Sequence, residues 1–239
     1  MRFLDQCIAL LEGEGKSLRK ETVPAPESVL FDVDAAGKVY VQAIMPYVRE
    51  ALQDGALRTL GLVELGNEVW DVNNPEVEYW LKQKTLKIRT LPETMYDDIR
   101  ANLMAVVRDG GTVADMAARL QEMRPGYEWY KAERIARTEI VGANNAGSWQ
   151  TMRQNEIEWK EWSTAEDERV RPAARKPGSK PPKGHVFDHR AANGETVATD
   201  RPFVKTGEAL MHPGAENGSA GNIIHCRCVV IPALEGPGA

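Results

Sequence analysis

A chain of 239 residues with 42% hydrophobic and 27% charged residues has the make-up of a globular protein, long enough for one large domain or two small ones. Its formal net charge of −5 speaks against a general nucleic-acid coat, since counterion release needs a basic face. Three cysteines, Cys7, Cys226 and Cys228, are an odd number and too few for a disulfide framework, which points to a reducing cytoplasm.

No run approaches the roughly 18 apolar residues of a membrane span, so a soluble protein is expected. The opening MRFLDQCIALLEG does not read as a signal peptide, because Asp5 interrupts its apolar stretch and no A-x-A pattern follows. Residues 1–34, with the run GEGKSLRKETVPAPES, read as an arm or connector. A helical region is expected over 35–127. Its first helix covers roughly 35–58 through Val39, Ile44, Val48, Ala51 and Leu57, with Pro46 as a kink or boundary. Asn74 and Pro75 then supply a cap and a first turn for a helix with Val77, Trp80 and Leu81 on its apolar side.

Pro92 opens a further helix with Met95, Ile99, Leu103, Val106 and Val107 in one stripe, closed by Gly110-Gly111. Thr112-x-x-Asp115 is a capping-box-like start for another, which carries Met116, Leu120 and Met123 and should stop at Pro125-Gly126. A separate long helix is predicted from about Glu128 to Asn155. It aligns Ala132, Ala136, Ile140, Ala143 and Gly147 in a small-residue stripe that admits a close neighbour.

Past Asn155 the pattern changes. Ile157 and Trp159 alternate with Glu158 and Lys160 as in a half-buried strand, and Glu161-Trp162 reverses the phase, predicting a bulge or strand end. Residues 172–184 form a Pro/Lys/Gly-rich insertion. Short strands are expected near 201–205 and 208–212, and the strongest strand over 222–231. The fold class read from this order is α+β: a helical N-terminal half, then a small loop-rich β domain packed on a long helix.

Polar residues punctuate this second half in a fixed order. Arg134, Arg137, Thr138 and Glu139 lie in the long helix, followed by Trp162-Ser163-Thr164-x-x-Asp167 with Arg169 and Arg171. His189-x4-Gly194 comes next, and Cys226-Arg-Cys228 closes the series. The series resembles the C-terminal domain of the phage minor head proteins, the Mu protein F-like head-morphogenesis family, over roughly residues 95–231. The resemblance implies a Mu F-like α+β domain at 128–235 in a minor capsid protein of a tailed phage or prophage. Such a protein would associate with the portal, procapsid and scaffold proteins, in the host cytoplasm during assembly and then in the virion head. It would aid head assembly or DNA packaging and ejection, with no enzymatic role and no membrane partner. The alternatives are an ADP-ribosyltransferase-like or toxin-associated domain, for which Arg137, Ser163 and Glu139 are suitable residue types, and a zinc-binding interaction module. Two departures from the family stand out: the basic insertion, and His225 where asparagine is usual.

The residues themselves allow several roles. Arg134, Arg137, Glu139, Ser163, Asp167, Arg169 and Arg171 are expected to form a structural polar network, since an unpaired buried charge is costly. Within it, Asp167 would pair with Arg169 or Arg171 or cap a turn. Residues two apart on a strand share a face, so Cys226 and Cys228 can reach one ion. His189 is the better third zinc ligand, and His225 would point the other way. His185 competes with His189 for that place. Buried reduced thiols and redox chemistry are the other readings of the pair, and a disulfide between them would be strained. From Arg169 to Lys183 the chain is basic without an acidic residue. Arg175, Lys176, Lys180 and Lys183 are therefore candidates for contact with DNA or an acidic partner, or simply a solvated loop.

Overall fold

The computed structural model of the chain describes residues 7–9, 30–63, 70–110, 112–172 and 186–237. The elements in order are α1 (Val33–Leu62), α2 (Pro75–Arg89), α3 (Leu91–Arg108), α4 (Val113–Gln154), β1 (Trp159–Ser163), α5 (His189–Ala192), β2 (Glu195–Ala198), α6 (Ala220–Ile223) and β3 (Val229–Ala233). The class is α+β. Two compact units share these elements: one draws on Met1–Ile44 and Gln83–Glu133, the other on Met45–Lys82 and Arg134–Ala239.

In the first unit, the i, i+4 spacing of Met95, Ile99 and Leu103 buries one stripe of α3 against Phe31, Ala36, Met116 and Leu120. Val107, assigned to the same stripe, is 38% exposed. Gly110 takes φ +74° after the last turn of α3, a left-handed conformation that glycine adopts without a Cβ penalty. Thr112 and Asp115 then form a reciprocal box: the Thr112 amide donates to Oδ2 of Asp115 at 2.7 Å, and the Asp115 amide to Oγ1 of Thr112 at 3.3 Å. These hydrogen bonds from Thr112 hold the Asp115 carboxyl below its ordinary pKa.

Two expected helix boundaries are absent. Pro46 lies inside α1, and α4 runs unbroken for 42 residues through Pro125-Gly126, where two helices were expected. An interior proline removes one ladder hydrogen bond and glycine costs about 1 kcal/mol, penalties confined to one turn. Burial on both sides outweighs them, at Met116 and Leu120 before the pair and at Ala143, Ala146 and Met152 after it.

The second unit takes α1 from Met45 onward and the first part of α2, where the Asn74 side chain caps the Glu76 amide at 2.9 Å and Val77, Trp80 and Leu81 are buried. Here α1 and α4 touch backbone to backbone: a Cβ built on Gly147 would lie 1.9 Å from the Leu52 carbonyl oxygen, and one on Gly55 equally close to that of Asn144. Gly147, the last residue of the small-residue stripe, therefore sits at a close crossing with α1, while Ala136 of that stripe is exposed. Ser148 Oγ secures it by donating to the Gly55 carbonyl at 3.0 Å.

A three-stranded antiparallel sheet follows in the order β2-β1-β3. Its register is continuous from Trp159 to Ser163 on the β3 side, so of the two expectations there is no bulge and the strand ends at Ser163. The buried positions of β1 are Lys160 and Trp162, which corrects the phase read from the alternation: Lys160 was assigned to the polar face. A lysine in a buried position defeats a polarity count, because its polarity says outside while its neighbours place it inside. Residues 201–212 contribute only the isolated bridge Phe203–Leu210, and the strand that pairs with β1 on the side away from β3 is 195–198. The strand expected over 222–231 is confined to 229–233, because 220–223 turn as a short helix and His225 adopts φ +58°.

Candidate functional site

Cys226 and Cys228 thus sit in the connection between α6 and β3 rather than on a strand. Their convergence follows from that connection and not from strand parity. Across from them, the Asp188 side chain caps α5 by accepting the Ala191 amide at 2.9 Å. The Arg171 carbonyl takes the amide of His189 at 2.9 Å. His189, 2% exposed, is held in this frame with Nδ1 3.3 Å from Cys228 Sγ and 3.6 Å from Cys226 Sγ, while Nε2 lies 2.6 Å from Oδ1 of Asn222.

The tautomer follows from the neighbours. Asn222 Nδ2 is 3.0 Å from Oε2 of Glu208, whose carboxyl is held below its ordinary pKa first by that hydrogen bond and then by Ser219. A carboxylate only accepts, so the amide nitrogen must face it and Oδ1 must face the imidazole. Nε2 therefore carries the proton, and Nδ1 presents a lone pair to both sulfurs. Arg171 Nη1, 3.4 Å from Nε2, can only donate, so in this tautomer the contact is one of proximity rather than a hydrogen bond.

The two thiols are unlike each other. Cys226 is driven well towards the thiolate, chiefly by the hydrogen bond from Cys228 and against the effect of burial. Cys228 is driven the other way by the same hydrogen bond and by its own burial. Behind them Trp162, fully buried, packs edge-on against His189 at 5.4 Å and against Phe203 at 5.3 Å.

Arginines organise the rim. The Arg171 guanidinium donates to the carbonyls of Asn222 and Ile224, fastening the turn that leads into Cys226, and its burial depresses its pKa. Asp167 pairs chiefly with Arg227, the residue between the cysteines, and that bond holds its carboxyl below the usual range. Its Oδ1 also accepts the Arg169 amide at 3.0 Å, while Nη2 of Arg169 stands 3.6 Å from Oδ2. Arg227 is thus the main side-chain partner, the Arg169 amide supplies the turn cap that was the other expectation, and Arg171 is engaged by main-chain carbonyls instead. Residues 169–171, His189 and 225–228 line a pocket of about 240 Å³.

The remaining candidates are placed as follows. Glu139 is 3% exposed on α4, and Arg134 and Arg137 are half-buried. Between them, Thr138 Oγ1 donates to the Arg134 carbonyl at 2.7 Å and accepts the His225 amide at 3.2 Å. Half-buried Ser163 ends β1 opposite Val229. Arg175, Lys176, Lys180, Lys183 and His185 lie outside the described residues. Among the described residues, the donors that converge as a metal set are His189, Cys226 and Cys228, without His225.

The sequence reading missed three residues that matter here. Asn222 was absorbed into a strand, although a short polar side chain amid apolar residues was a signal. Arg227 carries no role in the sequence pattern, although a residue between two like-facing side chains must serve a different contact. Asn145 was unremarked inside the ANNAG run, yet it is fully buried.

A long-helix scaffold closing on a small sheet, with a buried His-Cys-Cys cluster beneath an arginine rim, is the class of protein these features define. Residues 97–180 match the family model described as Phage Mu protein F like protein, so this stretch of the chain is similar to that phage family. The match takes in Arg134 to Arg171 and stops short of His189, Asn222 and the cysteines. No curated protein and no solved structure matches the chain significantly. Among the described residues, no helix is long and apolar enough to cross a membrane.

Proposed function

We propose that this chain is a minor capsid component of a tailed phage or prophage, working with the portal and procapsid in head assembly or in DNA packaging and ejection. The observation that carries the reading is the Mu F-like match over 97–180, which contains the helix, strand and Asp167 turn of the ordered polar series. The net charge of −5 fits a protein-bound head component better than a general DNA coat. Portal and scaffold are the partners this role calls for, and the basic run from Arg169 to Lys183 is the part suited to DNA or an acidic protein surface.

Mass spectrometry of procapsids and virions from an induced lysogen tests the proposal. Detection at a few copies per particle supports it, and absence from both particles overturns it. The competing ADP-ribosyltransferase reading needs Arg137, Ser163 and Glu139 around one nicotinamide pocket. The pocket beside Cys226 contains none of the three. Turnover of NAD by the purified chain would favour that reading instead.

A further inference from the structure

We propose that His189, Cys226 and Cys228 form a zinc site with three protein ligands, its fourth position belonging to water or to a donor that enters the adjoining pocket. The three ligand atoms lie within 4.8 Å of one another and all three residues are buried. Tetrahedral zinc with Zn–S of about 2.3 Å and Zn–N of about 2.0–2.1 Å puts nitrogen and sulfur about 3.5 Å apart. The observed separations from Nδ1 are 3.3 and 3.6 Å.

Hydrogen bonding alone accounts for less. Nδ1 has a single in-plane lone pair, and with the Cys228 proton directed at Cys226 that lone pair faces two sulfurs without a donor; a metal ion takes the lone pair and both sulfurs at once. The imidazole is already prepared. Its Nε2–H is committed to Asn222, which Glu208 orients in turn, and this carboxylate-backed arrangement behind a ligating histidine fixes ring and tautomer. Charge also agrees: two thiolates with a neutral imidazole balance the doubly charged ion. The half-buried Arg171 guanidinium lines the same pocket and favours the thiolates further. His189, Cys226 and Cys228 also line the pocket with Arg169, Arg171 and Arg227, so an incoming fourth donor would be anionic.

The test uses the full chain, purified in reductant without chelator. Elemental analysis should return about one zinc per chain. Cys226→Ala, Cys228→Ala and His189→Ala should each abolish it, whereas Cys7→Ala, outside the site, should keep it. Should the site variants fail to fold, the unmutated chain decides the matter. After metal removal it is titrated with Co²⁺, where thiolate-to-cobalt charge transfer and visible bands of tetrahedral intensity are expected at one equivalent. Protein that is isolated without zinc and shows neither band on titration overturns the proposal. So does a charge-transfer signal that survives in a folded double Cys226→Ala, Cys228→Ala variant.

Discussion

Asn145 holds Cys228 by its main chain. From α4 its Nδ2 donates to the Cys228 carbonyl and its Oδ1 accepts the Val230 amide, both at 2.9 Å. A single buried amide thus satisfies the β3 edge that faces away from β1 and sets the height of the cysteine connection. Asn145→Ala would leave a donor and an acceptor buried without partners, at about 1–3 kcal/mol each. Urea denaturation should show a loss of that order. Asn145→Asp keeps the acceptor and should lose less at the Val230 side; a variant as stable as the parent would remove the residue from this role.

Lys160 offers a pH signature. It is 0% exposed, donates from Nζ to the Met211 carbonyl at 2.6 Å and lies 4.9 Å from the Phe203 ring centroid. Burial pushes its pKa down from 10.5 to about 7, with Asp200 opposing. A lowered lysine pKa means that the unfolded chain binds more protons between about pH 7 and 10.5, so this group makes stability rise with pH across that window. The slope is at most about 1.4 kcal/mol per pH unit. Lys160→Met should lack this rise, and subtracting its denaturation curves from those of the parent isolates the effect. Parallel curves would show that the lysine keeps its proton on folding.

Two glycines should respond oppositely to alanine. At Gly147 the new methyl meets the Leu52 carbonyl at 1.9 Å, so α1 and α4 must separate, and a loss of about 1–3 kcal/mol is expected. Gly61, in the same α1, has nothing within 4 Å of the place a methyl would take, and Gly61→Ala should gain about 0.5–1 kcal/mol through helix propensity. Thermal melts of the pair check both signs.

His225 stands at φ +58°, where an L-residue with a side chain is strained by about 1–2 kcal/mol. Asparagine tolerates that region, so His225→Asn should be neutral or stabilising by up to about 1 kcal/mol. A clear loss would mean that the imidazole itself is needed in the pocket.

The basic segment gives a binding prediction. Replacing Arg175, Lys176, Lys180 and Lys183 with serine should leave the circular dichroism spectrum unchanged. If the segment grips DNA, binding should weaken and the salt slope should fall by about one for each phosphate that is no longer neutralised. An unchanged curve assigns the run to solvent.

The chain order alone determined what depends on neighbours a few residues apart. The caps at Asn74 and at Thr112–Asp115, the α3 stripe and the existence of β1 are set by hydrogen bonds and side-chain periods that a local window contains. The same holds for the ingredients of the site, since His189, Cys226 and Cys228 stand out as donor types wherever they fold. Tertiary structure decided the rest. Pro125-Gly126 reads as a stop until burial on both sides of the pair is known. Lys160 reads as exposed until Met211, Trp149 and Phe203 enclose it. Asp167 finds Arg227 60 residues away, and Asn222 acquires its orientation from Glu208. These pairings join residues distant along the chain whose approach is fixed only when helix and sheet pack. A reading confined to short windows therefore recovers the ligands of the cluster but not the side chains that aim them.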